Sequence, residues 1–112
     1  MAITNALLRG GQPFQIRSRI LDSVKQAMEP YGSNTLGVLL WDFDARAGLS
    51  PMDIADHPEE FMTSIHAVFG KASVIVEKRI ASQICEDFHL DIAKVPGLAD
   101  AVKSAASLSS RT

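Results

Sequence analysis

A chain of 112 residues with 46% hydrophobic and 21% charged residues has the composition of one globular domain, and no apolar run approaches the roughly 18 residues of a membrane-spanning helix. Its 11 basic and 13 acidic residues give a net charge of −2, which argues against a domain built to neutralise nucleic-acid phosphates. The single cysteine, Cys85, excludes an internal disulfide scaffold.

The N-terminal segment shows no sign of a helix and no targeting signal. Residues 1–12 contain Gly10 and Gly11 near their end and carry no sustained apolar periodicity, so we expect a mobile tail. The first eight residues lack a basic leader followed by a long apolar run, which argues against a secretion signal. We therefore expect a cytoplasmic protein, in agreement with the single cysteine.

The first helix is predicted from residue 13 to about Glu29. Pro30 disfavours helical geometry at the residue before it, and Gly32 can adopt the left-handed conformation that ends a helix. Apolar residues recur at the three- and four-residue spacing of one buried helical face, at Ile16, Ile20, Val24, Ala27 and Met28.

The second helix, capped by Ser33 or Asn34 and ending at Gly48, is apolar on two sides. The first stripe consists of Leu36, Leu39, Leu40, Phe43 and Ala47. The opposite stripe consists of Val38, Trp41 and Ala45. A helix with two apolar faces needs cover on both, so it should lie centrally or offer one face to something outside the core.

Two proline-containing start signals precede the third helix. Ser50-Pro51 fits a cap followed by proline in a first turn, which predicts a short helical turn through Ala55. His57-Pro58 repeats this signal with acidic residues behind it, and Gly70 is expected to end the helix. The inner face is predicted to contain Phe61, Ile65, Val68 and Phe69.

The fourth helix, from about Lys71 to Phe88, has an unusual acidic residue in its apolar half. That half contains Val74, Val76, Ile80, Ala81, Ile84, Cys85 and Phe88. Glu77 projects from its middle, where an ionised carboxylate is costly unless a cation or hydrogen-bond donors meet it. Glu77 is therefore either part of a salt bridge between helices or an acid at a functional site. The candidate partners for a salt bridge are Arg46, His66, Arg17 and Arg19.

These elements predict an all-α fold. It is a compact bundle of four main helices with a short helical turn before helix three. The sequence leaves open a weak fifth helix from Pro96 through Ala105 in addition to these four. The single helical domain is predicted to cover residues 13–106. Residues 107–112 are predicted to form a frayed C-terminal tail.

No motif predicts catalysis, a cofactor or a metal site. The acidic start of Asp42–Gly48 fails as a calcium loop because Arg46 occupies a ligand position. Cys85 and His89 have a chelating spacing, but no second pair of matching spacing completes a zinc site. Cys85 also points into the apolar half of its helix, where burial suppresses the reactive thiolate. We therefore predict no catalytic residue, no metal ligand and no cofactor.

The second apolar face of helix two is the strongest candidate for a functional surface. Because tryptophan is favoured at binding hot spots, we predict that Val38, Trp41 and Ala45, with the adjacent Asp42, dock a protein partner or a second copy of the chain. Alternatively, the N-terminal segment or the fifth helix covers this face. Residues 42–60 hold six acidic residues against Arg46 alone, which predicts a local acidic surface.

The segment from Leu49 to Ile80, LSPMDIADHPEEFMTSIHAVFGKASVIVEKRI, resembles the nitrosopumilus output domains, a family of small archaeal helical domains of unknown function. The shared features are a short turn, a Pro-Glu-Glu-Phe helix start, a Phe-Gly corner and a Val-Glu-Lys-Arg-Ile run. With the first two helices in matching order, the resemblance covers about residues 14–90. It implies Gly70 as the corner, Glu77 as the acidic residue of the apolar face, and an output or adaptor role without catalytic residues.

These observations favour a non-catalytic protein-interaction or regulatory output module over an enzyme or a nucleic-acid binder. The alternative is a small-molecule- or metal-binding helical bundle that uses interior polar residues around Glu77, with Cys85 and His66. A cavity beside Glu77 would favour this alternative. A closed core with an exposed Trp41 would favour the interaction module.

Overall fold

A computed structural model describes residues 14–95 and 97–110, and it confirms the predicted all-α fold for this part of the chain. The predicted N-terminal tail lies outside the described residues. In chain order the α-helices are α1 (Phe14–Met28), α2 (Ser33–Ala47), α3 (Pro58–Phe69), α4 (Ser73–Asp87) and α5 (Leu98–Ser110). Short 3₁₀ turns occupy Glu29–Tyr31, Pro51–Ala55, Gly70–Ala72 and Ile92–Lys94. Within this part of the chain, every helix is too short or too polar to cross a bilayer.

Most helix boundaries follow the predicted signals. Gly48 ends α2 in a left-handed conformation, with φ of 69°, and its N–H donates to the Asp44 carbonyl at 2.8 Å. The prediction that Ser33 or Asn34 caps α2 is wrong. The turn Glu29–Tyr31 carries the chain directly into the helix, so Gly32 occupies the cap position and offers no side-chain hydrogen bond.

The hydrophobic core is built from the inner faces of α1, α3, α4 and α5, and α2 adds Leu39 and Phe43. All five predicted apolar positions of α1 are buried, and α1 packs against α4 and the turn Pro51–Ala55. The fifth helix packs against α4 and α3 through Leu98, Ala101, Val102 and Ala105. The helix extends to Ser110 and so enters the segment predicted as a tail. Val74, predicted for the inner half of α4, is 53% exposed at the first turn of that helix.

The second helix lies at the edge of the bundle and packs mainly against α3. Leu39 and Phe43 are fully buried, and Phe43 contacts Phe61 edge-to-face with 5.4 Å between ring centroids. The helix therefore does not lie centrally in the bundle. One of its two apolar faces packs on the bundle, and the other is turned away from it.

Candidate functional site

The outer face of α2 leaves an apolar stripe in contact with solvent. Trp41 is 67% exposed and Val38 is 52% exposed, and Ala45 is exposed one turn after Trp41. Helix α5 does not cover this face. Asn34 and Gly37 extend the exposed stripe toward the start of the helix, and nothing lies within 4 Å of the position that a Gly37 side chain would occupy. The face therefore presents a large aromatic projection beside an open notch.

Asp42, predicted beside the docking face, is turned toward the bundle. Its carboxylate accepts hydrogen bonds from Arg46 Nε at 3.0 Å and Arg46 Nη2 at 3.2 Å, and its side chain is 15% exposed. The hydrogen bond from Arg46 lowers the pKa of the Asp42 carboxyl. Asp42 is therefore held by its own helix and is less accessible than Val38 and Trp41.

The predicted acidic surface of residues 42–60 is largely neutralised. Arg17 of α1 lies 2.8 Å from Asp56 and 3.6 Å from Asp53. Lys103 of α5 donates to Glu59 Oε2 at 2.6 Å, and this contact lowers the pKa of Glu59. Asp44 differs from these acids, because no described residue pairs with its exposed side chain.

Glu77 meets one of its four predicted candidate partners, His66 of α3. His66 Nε2 lies 3.0 Å from Glu77 Oε2, and His66 Nδ1 lies 2.9 Å from the hydroxyl of Ser73. The ring and the Ser73 hydroxyl share a hydrogen bond, and the tautomer of His66 decides which of the two donates. The separation from Glu77 is that of an ion pair, but its geometry does not complete a hydrogen bond. The buried Oε2 therefore accepts no hydrogen bond from a described residue.

A groove of about 350 Å³ runs beside Glu77. Its walls come from α3, from α4 and from the connection that leads into α5. Most of its lining is apolar, while Glu77, Lys78 and Ser82 supply polar groups. Cys85 and His66 are not among the described residues that line it. The structure thus contains both features that would distinguish the two predicted functions, an exposed Trp41 and a cavity beside Glu77.

Cys85 is a core residue that faces away from solvent. Its side chain is 3% exposed, and burial, with a smaller contribution from the charge of Asp91, raises the pKa of the thiol. Within residues 14–95 and 97–110, histidine, cysteine and acidic side chains nowhere form a group of three or more that could hold a metal ion.

We expect the Cys85 thiol to react with iodoacetamide about 100-fold more slowly in the folded protein than in urea, because alkylation requires an accessible thiolate. Since Cys85 is the only cysteine, the mass of the intact chain over time reports its modification directly. Equal rates in the folded and unfolded states would contradict its burial.

One polar cluster was missed by the sequence analysis. Asp87, at the end of α4, accepts hydrogen bonds from Ser23 of α1 at 2.5 Å and from Gln83 at 3.1 Å. Arg19 donates to the Asp87 carbonyl at 3.1 Å and lies 4.2 Å above the ring of Phe88. Because adjacent Glu86 and Asp87 resemble an ordinary charged surface in sequence, no local signal indicated this junction between α1 and α4.

The comparisons with known proteins identify no relative. No family model, curated protein or solved structure matches the chain at a significant level. The resemblance to the nitrosopumilus output domains therefore stays a prediction, and the functional argument depends on the geometry of the chain itself.

Proposed function

We propose that the chain is a small non-catalytic interaction module that self-associates through the outer face of α2. The observation that carries this proposal is the 67% exposure of Trp41 on a helix whose opposite face anchors it to the bundle. Large aromatic side chains supply much of the binding energy at protein interfaces. A cytoplasmic location and a regulatory output or adaptor role, as the family resemblance implies, belong to the same proposal.

A second copy fits this face because the face contains both a projection and a notch. A two-fold symmetric interface requires a surface that is complementary to itself. In an antiparallel pair of α2 helices with the two-fold axis between residues 39 and 40, Trp41 of each copy lies opposite Val38 of the other. The notch at Gly37 lets the two backbones approach closely beside the indole rings.

Charge also favours the antiparallel orientation. The first turn of α2 holds no acidic residue, and its cap Gly32 provides no side-chain acceptor. In the pair, Asp44 of each copy, which pairs with no described residue, lies at the level of the first turn of α2 in the other. A carboxylate near a helix N-terminus is stabilised by the helix dipole and by the free amide groups there. Both ends of the interface gain this contact.

We expect the chain to form dimers reversibly, with a dissociation constant in the micromolar to millimolar range, since one helix per copy buries less surface than a stable interface needs. Trp41→Ser should raise this constant about tenfold or more, because it removes the central side chain. Sedimentation velocity from about 10 μM to about 1 mM measures the effect.

Two control variants separate the α2 face from general changes in the surface. Phe14→Ser removes an aromatic side chain that is 73% exposed on α1, and it should leave the dissociation constant unchanged. Asp44→Asn should weaken the dimer, whereas Asp22→Asn on α1 should not. A chain that stays monomeric throughout the concentration range, or an equal effect of Phe14→Ser and Trp41→Ser, would overturn the proposal.

A further inference from the structure

The groove beside Glu77 has the dimensions of a small-molecule site. Its volume of about 350 Å³ falls within the range of about 300–1,000 Å³ that is typical of ligand pockets. The buried side chains of Ala81 and Leu98 contribute apolar surface to the lining. Val74 and Ile92, which are 53% and 48% exposed, also line it and present apolar surface to solvent. A ligand with an apolar body would cover these two residues.

Glu77 gives the groove its chemical preference. Its side chain is 15% exposed, yet Oε2 is buried on the side of His66. Oε1 is therefore the carboxylate oxygen that a bound molecule can reach. Lys78 also lines the groove, but it is an exposed residue whose ammonium can remain in water while its aliphatic stem borders the opening. Of the two charged residues that line the groove, Glu77 is thus the less exposed.

From this combination we infer that the groove binds a small organic amine, with the ammonium on Glu77 Oε1 and the apolar body across Val74 and Ile92. Charge-assisted hydrogen bonds between an ammonium and a carboxylate are stronger than neutral ones, and a partly buried carboxylate enhances this difference. A neutral analogue would retain the apolar contacts and lose the ionic one. A carboxylic acid of the same shape would place like charges together.

The test uses three probes that share a phenyl group and differ in the polar end: 2-phenylethylamine, 2-phenylethanol and 3-phenylpropanoate. Chemical-shift changes in ¹H–¹⁵N NMR spectra of the full chain identify the binding site and give each dissociation constant. We expect the amine to bind in the millimolar range typical of so small a ligand. The alcohol should bind about tenfold more weakly, and the acid should not bind detectably.

Two variants assign the preference to the groove. Glu77→Gln keeps the shape of the side chain, so it should reduce amine binding to the level of the alcohol while alcohol binding is retained. Ala81→Phe fills the groove and should abolish binding of both probes, whereas Trp41→Ser should change neither. The inference is overturned if the amine does not bind, if all three probes bind equally well, or if Glu77→Gln leaves the preference for the amine intact.

Because the groove and the outer face of α2 share no residue, the two proposals can fail separately. Loss of the dimer in Trp41→Ser with unchanged amine binding would support self-association and leave the groove intact. A strictly monomeric chain that prefers the amine would overturn self-association alone.

Discussion

Replacement of Phe43 by alanine is expected to lower the free energy of unfolding by about 3–5 kcal/mol, the usual cost of truncating a fully buried phenylalanine. Phe43 is 0% exposed and packs edge-to-face on Phe61. Because α2 packs mainly on α3, the resulting cavity would lie in the contact that attaches this helix to the bundle. Urea unfolding followed by far-ultraviolet circular dichroism measures the loss.

Phe14→Ala is the matched control, since it removes the same atoms from a side chain that is 73% exposed. Its free energy of unfolding should stay within about 0.5 kcal/mol of the unmodified chain. If Phe43→Ala unfolds at the same urea concentration as the unmodified chain, or if both variants are equally destabilised, the packing of α2 on α3 is not as the structure describes.

Replacement of Asp87 by alanine is expected to lower the free energy of unfolding by about 1–3 kcal/mol, because it leaves a buried hydroxyl without an acceptor. Ser23, whose hydroxyl donates to Asp87, is 1% exposed, so water cannot easily replace the missing carboxylate. The hydrogen bond from Gln83 is lost at the same time. The same urea titration measures this change.

A double mutant distinguishes the unpaired hydroxyl from other effects of the substitution. Ser23→Ala added to Asp87→Ala should recover part of the lost stability, since no buried polar group then remains unpaired. Glu86→Ala, next to Asp87 but exposed, should change stability by less than about 0.5 kcal/mol. If the double mutant instead loses as much free energy of unfolding as the two single mutants together, the hydrogen bond between Ser23 and Asp87 is not the source of the destabilisation.

The sequence predicts the helices well because their apolar residues repeat with the period of the elements that bury them. The pattern of α1 is confirmed at each apolar position, and the prolines and glycines near Pro30, Ser50 and Gly70 coincide with changes of direction in the chain. The exposure of Val74 was not predictable in this way. A helical wheel shows which residues share a side of α4. The neighbouring helices determine how far along α4 that side is buried.

Charge pairing was predicted less well than burial, since the partners are distant in sequence. The acidic segment 42–60 is apparent in the sequence, whereas Arg17 and Lys103 reach it from the first and last helices. For Trp41 the sequence left two outcomes, an exposed docking face or a face covered by another segment, and the structure has it exposed. The groove beside Glu77 was not predictable, because the connection around Ile92 and Val95 that walls it has no periodic pattern to place it.

The exposure of Trp41 also makes the chain its own optical probe. It is the only tryptophan, so intrinsic emission comes mainly from an indole that is already surrounded by water in the folded state. Unfolding then changes the wavelength of the emission maximum little, whereas covering the indole shifts the maximum to shorter wavelength. A fluorimeter would therefore report occupancy of this surface rather than integrity of the fold, the reverse of its usual use with small proteins.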